Sequence, residues 1–328
     1  MFWKKGKTDG TTIFFCSDLH GSTVCFKKFI NSAGYYASKG KPVDILLMGG
    51  DMTGKLIVPI IKEGDHYRSY LFGKEHVLSA GDDLREFMKK TEILGSYAHI
   101  FEPDEYDEFK RSDEKQKGLF LRLMLQRLAE WMDIAERRLK ANGIPCYISP
   151  GNDDVEEVNS ILEACPAIIC PDNQVVQLTD DHEMVSLGNA NLTPFGCPRD
   201  IHEQELADRL ERMAAQVGNM GACVFNTHCP PFGSNIDDAP LLDDDLRPQI
   251  GVSGVERVAV GCKAVREAIE KYQPLLGLHG HIHESKGTVE IGRTLCLNPG
   301  SEYSEGILHG ALVTIGKDRV LSHMLVSG

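Results

Sequence analysis

The sequence has no C-x-x-C pair, no apolar run long enough to cross a bilayer and no surplus of basic charge, and each absence removes a class of protein. The ten cysteines are scattered singly, so neither a compact disulfide framework nor a zinc ribbon is spelled out. Several of them, among them Cys16, Cys146 and Cys296, sit inside apolar strand-like runs, where a buried reduced thiol is expected. After Lys4 and Lys5 only the short stretch Thr11–Cys16 precedes Asp18, too little for a secretory leader. These features point to the cytoplasm and to no membrane partner. The formal net charge of -13 works against non-specific binding to nucleic acid, yet local cationic pockets for a small phosphorylated substrate stay open. No repeat, low-complexity tract or Pro/Gly/Ser-rich linker divides the 328 residues, and nothing in them sets an oligomeric state.

Short apolar runs are present instead, each closing in a turn rich in Gly, Asp, Asn or His. They are Thr12–Cys16, Val43–Met48, Ile144–Ser149, Ala222–Asn226, Pro274–His279 and Thr294–Leu297. Polar alternation is missing from them, which predicts strands buried on both faces. Helical patterns lie between several of these runs, so the chain is expected to be α/β, with a layered αββα arrangement. The clearest helix carries the stripe Leu121, Leu125, Leu128, Met132, Ala135 and Leu139, with Gly143 placed to cap it and Pro145 to prevent continuation. Others are predicted over Lys263–Tyr272 and about Glu203–Val217. From about 55 to 113 the pattern is irregular and rich in mixed charge and aromatics, and it is read as peripheral structure inserted after the second strand of a single domain spanning 1–328.

Five of the turns carry residues that bind metals. Ser17-Asp18-Leu19-His20-Gly21 puts a carboxylate and an imidazole two residues apart on one side of an extended chain. Gly49-Gly50-Asp51 and Gly151-Asn152-Asp153-Asp154 follow two further strands. His228 stands before Cys229-Pro230-Pro231, and His279-Gly280-His281-Ile282-His283 packs three histidines into five residues. Taken singly, most have an ordinary explanation: a solvated strand-end Asp, an Asx-turn, a satisfied histidine. Cys229 lacks any local base-and-orienter arrangement and is not read as a nucleophile. Only the histidine triplet favours metal binding alone.

The ordered set Asp-x-His, Gly-Asp, Gly-Asn, His and Gly-His-x-His, from Asp18 to Ser301, resembles the calcineurin-like metallophosphoesterase superfamily. Leu297-Asn298-Pro299-Gly300-Ser301 is similar to a turn of its prokaryotic members. The resemblance implies a four-layer αββα sandwich and two divalent transition metal ions: Mn, Fe or Zn by the mixed O and N donors. Asp18, His20 and His283 would hold one ion, Asn152, His228 and His281 the other, with Asp51 between them. A metal-bridging hydroxide would then attack a phosphodiester or phosphomonoester. Asp51, His228 and Asp153 are the residues expected nearest the chemistry.

One position departs from that pattern. The superfamily usually has a His after Gly-Asn, the expected acid for the leaving group, and here Asp153 stands in its place. Turnover is therefore expected to be slow on poor leaving groups and better on aryl or nucleotidyl esters, and Asp153→His to raise activity on an alkyl phosphate. Two other readings are a non-catalytic metal-binding scaffold for protein interaction and a DNA nuclease, the latter disfavoured by the acidic balance. Arg199, after Gly196-Cys197-Pro198, is a candidate phosphate contact whose commoner explanation is a surface arginine.

Overall fold

A computed structural model describes residues 10–140, 143–252 and 254–328. Lys4 and Lys5 lie outside the described residues. The class is α/β, with two large sheets and helices packed on them. The first sheet runs, in spatial order, Val320–Ser327, His309–Ile315, Thr11–Cys16, Ile45–Met48 and Cys146–Ile148. The second runs Gly287–Ile291, Thr294–Asn298, Leu276–Leu278, Val224–Thr227, Glu183–Leu187 and Gln174–Gln177.

The unbroken apolar runs make sense in this arrangement, because each central strand is covered on both faces. Along Thr11–Cys16, Ile13 and Phe15 pack against Met184, Val224, Leu276 and Leu278 of the second sheet. The alternate residues Phe14 and Cys16 pack outward against Phe26 and Phe29 of the helix Thr23–Ser38 and Trp131 of the helix Asp113–Leu139. On the second sheet, Val185 and Phe225 face Leu206 and Leu210 of the helix Glu203–Ala214 and Val265 and Ile269 of the helix Lys263–Tyr272.

All six predicted strands are present within a residue or two. The long helix carries Leu128, Met132, Ala135 and Leu139 into the core, while Leu121 and Leu125 are only half-buried. Gly143, at φ 62°, donates its N–H to the Leu139 carbonyl as a left-handed cap requires. The helix expected to reach Val217 ends at Ala214, because Gln216 and Val217 donate to carbonyls three residues back and tighten the last turn.

The irregular stretch folds as a four-stranded sheet, in the order Lys74–Ser79, His66–Leu71, Ile57–Glu63, Tyr97–Phe101, with the helices Asp82–Ile93 and Pro103–Arg111. Val58, Ile60, Leu71, Leu78 and Phe87 give it a small core of its own. Among the described residues, no helix is long and apolar enough to cross a membrane.

Candidate metal centre

Within each large sheet the strands that precede the motifs run parallel, so their C-terminal ends share one edge. Backbone bonds then stitch the loops together. Asp18 N donates to Gly50 O at 2.9 Å, His20 N to Asp51 O at 2.9 Å, and Gly280 N to His228 O at 2.9 Å. Two glycines make the approach possible: a Cβ at Gly151 would lie 2.1 Å from Asp51 Oδ1, and one at Gly280 would lie 2.3 Å from Asp18 Oδ2. Asp18, His20, Asp51 and His281 all hold positive φ (59°, 40°, 51° and 66°) without being glycine. Each such residue costs about 1–3 kcal/mol and persists only where the surroundings over-determine it, commonly at functional sites.

The side chains converge. Ligand atoms of Asp18, His20 and His283 lie within 4.8 Å of one another, as do those of Asp51, His228 and His281, and those of His20, Asp51 and Asp153. His20 Nε2 and His283 Nε2 face each other at 3.0 Å, and His283 Nε2 is 3.4 Å from Asp18 Oδ1. Asp51 spans the two sides, with Oδ2 3.7 Å from His20 Nε2 and Oδ1 3.3 Å from His228 Nε2. Asp18, His20, Asp51, Asn152 and His228 are buried, whereas His281 and His283 are partly exposed and open the cluster to solvent.

Two buried atoms test whether ions fit. Among the described residues, Asn152 Oδ1 and His228 Nε2 have no hydrogen-bond partner, a costly condition unless something coordinates them. Each is aimed by its other end. His228 Nδ1 lies 3.0 Å from the Gly49 carbonyl, to which it donates, and this turns Nε2 toward Asp51, free to ligate once its own proton is displaced. Asn152 Nδ2 donates to Asp200 Oδ1 at 2.8 Å, so Oδ1 is the free end, and Asn152 is flanked by Gly151 and Asp153, both in contact with Asp51. Mixed N and O donors of this kind suit Mn, Fe or Zn, and the residues fit such a group.

Electrostatics agree with a site built for cations. Burial would raise the Asp18 carboxyl, yet His283 and His228 hold it below the usual range. Burial would likewise lower His228, but Asp51 and Asp18 push it up to about 9, so metal uptake must displace a proton there. Burial and the Lys55 charge bring His20 down to about 3, leaving a neutral imidazole ready to ligate.

Other residues brace the ligands. Asp154 accepts from the N–H groups of Met52, Thr53 and Gly151 and from the Thr53 hydroxyl, clamping the Asp51 loop to the Asn152 loop. The Asn-Pro-Gly-Ser turn has a similar duty: Asn298 Nδ2 donates to the Gly280 and Ile282 carbonyls, and Ser301 Oγ to the Asp18 carbonyl. His279, the first of the triplet, is a core residue whose Nδ1 lies 2.9 Å from the Thr227 carbonyl. Burial pushes the Cys229 thiol well up, consistent with an inert side chain. Arg199 is no surface arginine: it is buried and paired with Asp172, and its backbone N–H donates to the Asn152 carbonyl.

Asp200 carries no signal in the sequence, since its partner Asn152 lies 48 positions away. Its Oδ2 is held by Thr193 and by the Cys197 N–H, which leaves Oδ1 for the amide. Replacing it by Ala frees the Asn152 amide to rotate. Metal affinity is expected to fall about 10–100-fold, read by competition against a fluorescent chelator; unchanged affinity would remove Asp200 from the site.

No family model matches the sequence. An uncharacterised protein of Methanocaldococcus jannaschii is 28% identical over 178 residues, covering 54% of this chain and 69% of its own. One solved structure covers 97% of this chain and 98% of its own, with a TM-score of 0.53 at 15% identity, a likeness of fold alone. A phosphatase structure from Mycoplasma pneumoniae (TM-score 0.44, 12% identity, 98% of this chain and 94% of its own) is too distant to carry an argument. The same holds for the sulfate thiohydrolase SoxB of Thermus thermophilus (TM-score 0.36, 12% identity, 99% and 57%).

Proposed function

We propose that the chain is a calcineurin-like metallophosphoesterase that hydrolyses a phosphodiester or phosphomonoester with a good leaving group. The carrying observation is the convergence of five strand-end loops on one place, where Asn152 Oδ1 and His228 Nε2 are buried beside Asp51 without hydrogen-bond partners among the described residues. In this reading the two sheets and their flanking helices are the four layers of an αββα sandwich, and the sheet built from residues 57–101 is an insertion at its rim.

Asp18, His20 and His283 would hold one divalent ion and Asn152, His228 and His281 the other, with Asp51 shared. When bound, such ions supply Lewis-acid activation of water and neutralise charge on the phosphate. The protein's part is to hold those donors in fixed register and to keep the two imidazoles His20 and His228 oriented. Asp153 is engaged elsewhere, because Lys55 Nζ lies 2.6 Å from its Oδ2 and takes that oxygen away from a leaving group. That supports a preference for aryl or nucleotidyl leaving groups over alkyl ones.

The test is hydrolysis of a chromogenic bis-aryl phosphodiester by protein loaded with Mn²⁺, before and after chelation. Turnover that is lost with chelator and restored by metal is expected. Bound metal without turnover on diesters or monoesters would favour the non-catalytic scaffold instead.

A further inference from the structure

The cluster of carboxylates has a cation beside it that the ligand set does not use. Lys55 sits on the loop that follows Asp51, and that loop is pinned along its length. Thr53 N donates to Asp154 at 2.9 Å, Gly54 N to the hydroxyl of buried Tyr97 at 2.7 Å, and the Leu56 carbonyl accepts from Tyr97 N at 2.8 Å. Lys55 therefore projects from a fixed base, although its side chain is 48% exposed. Its Nζ meets Asp153 Oδ2, and an ammonium has three donors, so among the described residues two are left for something else.

Asp153 in turn has Lys55 as its close side-chain partner, with two other groups nearby. Besides Lys55 it faces His20 Nδ1 at 3.7 Å and the Cys197 thiol, which burial and then Asp153 push up to about 12. Its own N–H donates to Asp51 Oδ1 at 3.0 Å. Asp153 thus accepts from Lys55 and holds its ammonium in place. Left alone, its negative charge would repel an incoming phosphate; Lys55 cancels it. Burial disfavours the Lys55 ammonium and Asp153 favours it, so the ion pair fixes where the positive charge sits.

Resting on the phosphoesterase reading above, we infer that Lys55, positioned by Asp153, is the residue of this chain that contacts a phosphate oxygen of the substrate. It supplies the positive charge that an imidazolium after Gly-Asn would otherwise bring, without the proton. The substrate class is accordingly a phosphate ester whose leaving group departs as the anion.

The experiment titrates inorganic phosphate into Mn²⁺-loaded protein by calorimetry, with metal content measured in parallel. Lys55→Met is expected to keep its metal and to bind phosphate about 10–100-fold more weakly, the range for a hydrogen bond to a charged group. Lys55→Arg should stay within a few-fold of wild type. In the double variant Lys55→Met with Asp153→Asn, weak phosphate binding should persist. Recovery of wild-type affinity there would mean that Lys55 only neutralises Asp153, and would overturn the direct contact. Equal phosphate affinity in Lys55→Met with metal retained would overturn the role of Lys55 alone, and loss of metal from that variant would reassign the lysine to the metal scaffold. Absence of metal from wild type would overturn the metal-centre reading and this inference with it.

Discussion

Replacing Asp51 by Asn is expected to lower hydrolysis about a thousandfold or more, equivalent to roughly 4 kcal/mol of lost charge stabilisation. Asp51 approaches both groups of ligands, through Oδ2 to His20 at 3.7 Å and Oδ1 to His228 at 3.3 Å, nearer to His228 than the 3.9 Å of Asp18 Oδ1. Asn is nearly isosteric and keeps an oxygen for the Asp153 N–H, so the loop geometry survives while the charge is lost. The variant should therefore melt close to wild type and yet retain less than the full metal complement. Steady-state rates on the aryl diester, metal analysis and a thermal melt together check this. Full metal content and an unimpaired rate would show that Asp51 is a plain strand-end turn residue.

Asp154→Ala is expected to destabilise the fold by at least about 3 kcal/mol. The side chain is fully buried and accepts four hydrogen bonds, three from backbone N–H groups that have no water to turn to once it is gone. Burial and the nearby Asp51 push its carboxyl up to about 6, while the donors of Thr53, Gly151 and Met52 favour the charged form. Asp154→Asn should cost less, since one carboxamide oxygen still serves Thr53. Urea denaturation of both variants, without added metal, reads the difference. A loss below about 0.5 kcal/mol for Asp154→Ala, the range of ordinary surface substitutions, would contradict the clamp.

The central strands were legible because burial on both faces leaves an unbroken apolar run, as in Ile45–Met48 and Val224–Thr227. The outer strands Gln174–Gln177 and Val320–Ser327 were not, because each has an exposed side and its mixed polarity resembles a loop. The sheet from 57 to 101 escaped for the same reason: its short strands mix buried Val58 and Ile60 with exposed Tyr70 and Val77. The helix Thr23–Ser38 was hidden behind the motif that starts it.

At the centre, Asp18, His20, Asp51, His228, His281 and His283 come together because each lies a few residues beyond a readable strand, and chemistry-bearing residue types are conspicuous there. What could not be read was support that arrives from elsewhere in the chain. Asp200 reaches Asn152 across 48 positions and Lys55 reaches Asp153 across the Asp51 loop, and neither pairing has a spacing to announce it. Arg199 looked like an exposed cation because sequence carries its charge but not Asp172, the partner that lets it be buried.

The central claim is that this cluster holds two metal ions. The most direct measurement is anomalous diffraction from crystals of Mn²⁺-loaded protein. The account predicts about two anomalous peaks per chain, one bounded by Asp18, His20 and His283 and the other by Asn152, His228 and His281, with Asp51 touching both. An absence of ordered metal among these residues, or ions bound only elsewhere, would contradict it.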